Sequence, residues 1–360
     1  MEIYKLKYYL TLLILFVAFN LYSQTGDIYS IYTINTTTDR TDYVTDLYFF
    51  DYNTGYVTAV YGSPEGASTQ TFCKLYKTTN GGINWVKQWQ YVFSDDNHTI
   101  QKLALSFSNL NTGYFIKQSA YKYFLNTTNG GINYNPFQLQ SAFPDYIYEP
   151  VTSMNSGNEL FLIRKLRGSI VKIFNNGNNY STYNFGSEIE LFHVEVSKAS
   201  NVIYVCGRNQ STFYPFLAKS TDGGATYTTI LDGYSDPNNF SFLYHMNIVN
   251  VGSNDVVKIS CKEKIIEYNS ETNTISVITN NLFPGERKIC FSDYYNGFYI
   301  KKDFTDDNPL NPLNNSEIFM TKNNGQNWVQ VFSNQNTNID RKSTRLNSSH
   351  GKLLRMPSSA

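Results

Sequence analysis

The sequence predicts an all-β chain of four-stranded blades, a β-propeller, and three observations carry that prediction. A nine-residue polar phrase recurs, as KTTNGGINW at Lys77–Trp85, NTTNGGINY at Asn126–Tyr134, KSTDGGATY at Lys219–Tyr227 and MTKNNGQNW at Met320–Trp328. With two worn copies the phrase starts at 78, 127, 173, 220, 268 and 321, and recurrence at 46 to 53 residues marks solenoids, propellers or arrays. Between copies stand short runs rich in Val, Ile, Tyr, Phe and Thr, punctuated by Asn, Gly and Asp, which read as strands and turns.

One unit holds four such runs. In the first they are TDLYFFD, GYVTAVYG, TFCKLYKTT and NWVKQWQYV, between Thr45 and Val92. Four strands in about 47 residues, repeated, are the signature of propeller blades. A second recurrence precedes the phrase: Phe49, Phe107 and Phe291 each stand six residues before a glycine, Gly55, Gly113 and Gly297, that is followed by Tyr or Phe.

The phrase falls between the third and fourth runs of a unit, and its pattern is Ser/Thr-x-Asp/Asn-x-Gly-x-Asn/Thr-aromatic. Thr78, Thr127, Ser220 and Thr321 open it. Asn80, Asn129, Asp222 and Asn323 are placed to accept backbone N–H bonds in Asx-type turns. Gly82, Gly131, Gly224 and Gly325 supply positive φ. Trp85, Tyr134, Tyr227 and Trp328 lead into the outer strand, where a large ring seals the groove between sheets. The worn third copy keeps Asn175, Gly177 and Tyr180, and the fifth, Tyr268–Ile275, has lost its glycine. On this reading the phrase staples the fold and is not a site.

These residues resemble the Asp-box (BNR) repeat, and the Phe-x5-Gly-Tyr to Thr-Thr-Asn-Gly-Gly-x-Asn-Trp order resembles the Ycf48/HCF136-like propellers. Sortilin-like propellers and sialidases share the box. The resemblance spans roughly residues 40–332. It implies architecture and leaves activity open, because function sits in sites grafted on such folds.

Six copies imply six blades. The run DIYSIYTI at Asp27–Ile34 has no place in the first blade, and as a closing strand it implies a seventh in the untruncated protein; a closed six-bladed ring is the alternative. At the N-terminus, Lys5, Lys7, an apolar stretch from Tyr8 to Phe19 and small Ser23 read as a secretory signal peptide over 1–23. The alternative is a membrane anchor, though the apolar run is shorter than a span of roughly 20 residues. The propeller then occupies 24–339. The Leu-Tyr-Ser-Gln ending and Asn- and Tyr-rich body resemble exported Bacteroidetes-type proteins, many of which carry a C-terminal (T9SS) sorting domain. From Asp340 the composition breaks: DRKSTRLNSSH and RMPSSA, with no Tyr or Phe over 340–360, resemble translated sequencing adapter. That tail is expected to be artefactual and the chain truncated.

Lys+Arg and Asp+Glu balance at 29 each, so no global field draws nucleic acid or anionic membrane. Aromatics reach 16%, with 30 Tyr, which serves strands and also suits binding of glycans or protein partners. Cys73, Cys206, Cys261 and Cys290 lack metal-knot spacing; Cys261 and Cys290 fall on adjacent strands of neighbouring blades and are the candidate disulfide. His98, His193 and His245 stand isolated, unlike a ligand set. Sialidase chemistry needs a carboxylate-clamping arginine cluster, and Arg40, Arg164, Arg167, Arg208 and Arg287 do not recur at one blade position. Arg208 in CGRNQ and Glu286–Arg287 are the combinations worth inspecting. Acidic Phe93–Thr99 and Asp303–Asn315 could hold loop calcium through carboxylates and carbonyls, although neither has EF-hand spacing.

The expectation is therefore a secreted or outer-membrane-surface monomer that binds a protein or glycan without catalysis, cofactor or metal. A glycoside hydrolase with carboxylates over the central channel is the alternative, and an assembly factor for a membrane or surface complex the second.

Overall fold

A computed structural model of the chain describes residues 43–50, 53–62, 70–80, 84–94, 103–117, 123–138, 152–164, 168–232, 242–261, 264–279, 287–302 and 316–333, all within the unit Thr33–Ala360. The signal-peptide segment, the Asp27–Ile34 run, Gly82, Glu286, the two acidic loops beyond Ser94 and the 340–360 tail lie outside the described residues.

Those residues form six four-stranded antiparallel sheets, each built of consecutive strands. Blade one comprises β1 (Tyr43–Phe49), β2 (Gly55–Gly62), β3 (Gln70–Thr78) and β4 (Val86–Ser94). Blade two comprises β5 (Leu103–Phe107), β6 (Gly113–Lys117), β7 (Tyr123–Thr127) and β8 (Asn135–Gln138). In blade three they are β9 (Thr152–Met154), β10 (Leu160–Arg164), β11 (Ser169–Phe174) and β12 (Asn179–Asn184). Blade four holds β13 (Ile189–Val196), β14 (Ile203–Asn209), β15 (Pro215–Ser220) and β16 (Thr228–Leu231). Blade five holds β17 (His245–Val251), β18 (Asn254–Ser260), β19 (Ile265–Asn269) and β20 (Thr274–Thr279), and blade six β21 (Arg287–Phe291), β22 (Gly297–Lys302), β23 (Ser316–Thr321) and β24 (Val329–Ser333). First strands pack on first strands through the series β1, β5, β9, β13, β17 and β21, as radial blades require. The fold class read from the repeats is the fold observed.

Strand alternation gives each blade two ends. First-to-second and third-to-fourth connections lie at one end, the turn face. Second-to-third hairpins and links between blades lie at the other, the loop face.

The turn face explains the repeats. Each phrase copy connects the third strand of its blade to the fourth. In blade two the Thr127 hydroxyl donates to Asn129 Oδ1 at 3.1 Å and accepts the Gly131 N–H at 2.9 Å, while Asn129 Oδ1 accepts the Asn133 N–H at 3.0 Å. Ser220, Asp222, Gly224 and Thr226 repeat the arrangement in blade four, and Thr321, Asn323, Gly325 and Asn327 in blade six. Thr78 and Asn80 bond the same way, with the Asn84 N–H on Asn80 Oδ1. In the worn third copy Asn175–Gly177 form a short 3-10 turn; in the fifth, Asn269 Oδ1 takes the Glu271 and Thr272 N–H groups.

Gly131 has φ +81°, and a methyl there would stand 2.8 Å from Leu75 of the preceding blade. The aromatic that follows fills the same seam. Tyr134 lies 4.8 Å from Trp89 of blade one, Tyr227 lies 4.9 Å from Tyr183 of blade three, and the Trp328 indole donates to Thr279 of blade five. Phe107 and Phe291 stand directly across the ladder from Gly113 and Gly297. A Cβ on either glycine would penetrate the facing ring, at 2.3 and 2.5 Å, so the recurring Phe covers its glycine.

Hydrogen bonds then link blade to blade on this face. The Ser156 hydroxyl donates to Asn201, and the Ser197 hydroxyl to Asp255. Lys198 reaches from blade four to the Tyr48 hydroxyl of blade one at 2.9 Å. Between blades five and six Lys258, fully buried, bonds Glu267 and Asn324 and lies 4.3 Å from the Tyr294 ring centroid.

Candidate partner-binding site

The loop face of blades four and five carries an aromatic cluster around one guanidinium. Glu190 and Arg208 are direct cross-strand partners on β13 and β14, and Arg208 Nε and Nη2 both donate to Glu190 Oε2 at 2.7 Å. Glu190 is buried, so the pair meets the rule that buried charge needs a partner.

A bulge sets the next element. The register slips between Leu191 and His193, leaving Phe192 as the extra residue, and such bulges re-aim side chains beside functional sites. Opposite it, a Cβ on Gly207 would come within 1.9 Å of the Glu190 carbonyl oxygen; only glycine admits this approach. Phe192 thereby stands with its ring centroid 5.5 Å from the Arg208 guanidinium.

Two loops complete the cluster. The β14–β15 hairpin closes through Phe213 N–H on the Asn209 carbonyl and Asn209 N–H on the Tyr214 carbonyl, and Asn209 Oδ1 caps the Ser211 and Thr212 amides. This hairpin places Phe213 5.3 Å from the guanidinium. The segment entering blade five is pinned by Leu243 N–H on the Gly207 carbonyl and Tyr244 N–H on the Ser260 carbonyl, and it sets Phe242 over the guanidinium at 4.5 Å. Phe242 makes edge contacts with Phe213 and Tyr244, each at 5.9 Å. Arginine over aromatic faces is favourable, by roughly 0.5–2 kcal/mol per pair depending on exposure.

Phe213 breaks a local rule. Its φ is +60°, a region that a bulky L-residue enters at a cost of about 1–2 kcal/mol, and its side chain remains 55% exposed. Neighbouring Tyr214 is 39% exposed. The strain is not offset by burial.

Of the residues singled out in the sequence, Arg208 alone joins a cluster of this kind. Arg164 ends β10, Arg287 begins β21, and Arg40, Arg167 and His98 lie outside the described residues. His193 and His245 are not isolated: their rings meet across the seam of blades four and five with centroids 4.1 Å apart and planes tilted by 42°. They are neighbours in sequence of Phe192 and Tyr244, which meet at 5.9 Å, so the first strands of the two blades contact residue by residue. The Cys261–Cys290 pairing is corrected. No disulfide joins Cys261 to Cys290, and Cys261 packs with Cys206, Val257 and Ile259 in the core between blades four and five. Cys290 lies on β21 of blade six, the strand that packs against β17 and β18 of blade five. Burial, then the nearby Cys261 thiol, push the Cys206 thiol well above its ordinary range. Among the described residues no three His, Cys, Asp or Glu side chains converge as metal ligands would, and no helix is long and apolar enough to cross a membrane.

Fold and cluster together define a class, a β-propeller with six blades among the described residues, a stapled turn face and an aromatic-bearing loop face. Solved structures share this fold. One described as Ycf48 bound to D1 peptide is 15% identical, with TM-score 0.55, covering 81% of this chain and 83% of that one. Ycf48 from Cyanidioschyzon merolae is 13% identical, with TM-score 0.54, covering 81% and 86%. A streptogramin B lyase is 12% identical, with TM-score 0.53, covering 85% and 87%. At these identities the likeness is one of fold. No protein-family model matches the chain, and neither does any curated protein.

Proposed function

We propose that the chain is an exported β-propeller that binds a macromolecular partner, protein or glycan, without catalysis, through the loop face of blades four and five. The observation that carries this reading is Phe213, an aromatic held in the left-handed region while more than half exposed. A residue that costs folding energy and returns little burial is accounted for by what it presents outward. Aromatic residues and arginine are also the groups enriched at interface hot spots.

Two further points support it. The solved Ycf48 structure of the same fold holds a peptide, which makes protein binding the favoured branch. The basic, then apolar N-terminal segment Met1–Ser23 reads as an export signal, and the phrase as an Asp-box staple that leaves binding to the opposite face.

The test compares the intact chain with Phe213→Gly, each immobilised and exposed to surface proteins of the source cell and to a glycan array. The expected result is a partner retained by the parent and lost by the variant. Equal retention by both sinks the assignment to this face. Export is checked separately, by finding the native protein in the medium or on the cell surface; retention inside the cell contradicts it.

A further inference from the structure

Resting on that reading for what it controls, we infer that His193 and His245 form a pH-sensitive clasp. It holds the loop face of blades four and five together at neutral pH and loosens it in mild acid.

These are the two histidines among the described residues, and they lie on neighbouring first strands with ring centroids 4.1 Å apart. The bulge before His193 sets it opposite Cys206 of β14, while His245 stands opposite Ser260 of β18. Each imidazole is one residue from a ring of the aromatic cluster. Phe192 lies over Arg208 and Tyr244 touches Phe242, and Phe192 and Tyr244 meet each other at 5.9 Å. The imidazole contact and the Phe192–Tyr244 contact therefore open or close together, and with them the seat of Phe242.

The seam has room for one imidazolium and not for two. His193 is buried and His245 half-buried, and removing water from an ionised group disfavours its charge. Among the described residues, Glu195 is the carboxylate nearest in the strand, buried and two residues past His193 on the same side; it offsets one positive charge. Glu190 of β13 is committed to Arg208. On β18, Lys258 is turned to Glu267 and Asn324, and Asp255 to Ser197 and Ser200. The Cys206 and Cys261 thiols and the Tyr204 and Tyr244 hydroxyls are neutral in this range. β9 and the rest of β17 carry no titratable side chain. Arg164 ends β10, and Arg287 and Lys288 open β21; these cations oppose further positive charge.

The sign follows from proton counts. Above the ordinary imidazole value of about 6.5 both rings are neutral, whether the seam is closed or open. Below it the opened seam binds two protons in water, and the closed seam holds one beside Glu195. A difference of one proton makes opening about tenfold easier per pH unit.

Hydrogen exchange on the full chain, corrected for intrinsic rates, reads this without a partner. The reporters are the Leu243 and Tyr244 amides, bonded to the Gly207 and Ser260 carbonyls on either side of the seam. The Gly131 amide of blade two, bonded to Thr127, is the control. Between about pH 7.5 and about pH 5.5, protection at the reporters should fall roughly tenfold while the control holds. His245→Phe keeps a ring and takes no proton, so its reporters should be indifferent to pH. His193→Gln serves the same end if circular dichroism shows the first variant unfolded. No loss in the parent, an equal loss in the variants, or an equal loss at the control overturns the clasp and leaves the partner surface standing. The Phe213-dependent partner is then offered at both pH values, and the parent should release it in acid while His245→Phe retains it. Retention by the parent despite loosened reporters overturns the control of binding. If no Phe213-dependent partner is found, the preceding reading fails, and the exchange experiment still decides the clasp.

Discussion

Replacing Lys258 by methionine tests whether the buried ion pair between blades five and six is a source of stability or a constraint on their docking. Lys258 is wholly inaccessible and Glu267 nearly so, and the ammonium also bonds Asn324 of blade six and faces the Phe291 and Tyr294 rings. Burial lowers its pKa despite the opposing pull of Glu267, so the loss of hydration around the ammonium outweighs the attraction of the carboxylate. Lys258→Met keeps the aliphatic volume but strands the Glu267 carboxylate in a dry seam, and removing one partner of a buried pair costs about 3–5 kcal/mol. With a midpoint shift of roughly 2–4 °C per kcal/mol for large domains, unfolding followed by circular dichroism should move down by about 6–20 °C. The double replacement Lys258→Met with Glu267→Leu removes both charges, and it should recover most of that loss, because well-packed apolar substitutes for a buried pair are often neutral or stabilising. A single variant as stable as the parent would refute the burial argument. A double variant no better than the single would show that the pair itself, with its Asn324 and Tyr294 contacts, supplies the energy.

Other consequences follow at smaller scale. Gly131→Ala forces a side chain into positive φ and against Leu75, so denaturant titration should show a loss of about 1–3 kcal/mol. Above pH 10 the buried tyrosines act together. Burial pushes Tyr114 to about 12 and raises Tyr134, Tyr204 and Tyr227 further; their stabilisation is complete below the unfolded value near 10 and lost as pH climbs toward the folded values. Lys258, its pKa lowered, runs the other way but is one group against four, so tyrosinate absorbance should appear together with unfolding; gradual ionisation of a still-folded chain contradicts this. At acid pH, bonds from the Thr226 hydroxyl and amide and from Ser220 hold Asp222 at about 2. Its contribution is present above the ordinary 3.8 and lost as pH falls toward 2. Asp222→Asn, the residue found at Asn129 and Asn323, should flatten stability between those pH values.

The fold was legible because its signals are local. An Asx turn, a positive-φ glycine and a sealing aromatic recur within nine residues, and each needs only its own hairpin to make sense, so six copies, two of them worn, could be aligned without a partner in view. The second recurrence, Phe six residues before glycine, was visible as a pattern but not as a contact; its cause, a ring lying on bare backbone across the ladder, exists only once β5 and β6 pair. The aromatic cluster around Arg208 was less legible still. Arg208 stood out only for its neighbours in CGRNQ, whereas its partner Glu190 is 18 residues earlier and Phe242 is 34 residues later. His193 and His245 looked solitary for the same reason, since their contact spans two blades. Strand spacing gave Cys261 and Cys290 as residues of adjacent strands but not the face on which each side chain points; alternation turns Val257, Ile259 and Cys261 toward blade four, while Lys258 meets blade six.

What sets Phe213 apart from the other exposed hydrophobics is its backbone, the φ of +60°, and that is the argument for the surface proposed above. On the turn face the residues of the recurring phrase have structural partners, although Leu110, Ile132, Val251 and Tyr295 stand exposed there. Thr127, Ser220 and Thr321 are buried against their own turns, Tyr134 and Trp328 fill seams, and Asp255 receives the Ser197, Ser200, Tyr204 and Asn250 donors. These contacts account for them without a ligand. On the loop face the sequence does the opposite at Phe213, setting a large ring in a conformation that suits glycine and leaving it in solvent. Local preference and global packing agree over most of a foldable chain. At Phe213 they part: the ring packs against Arg208 and Phe242 yet stays more than half exposed, and that is the ground for placing the proposed partner surface there.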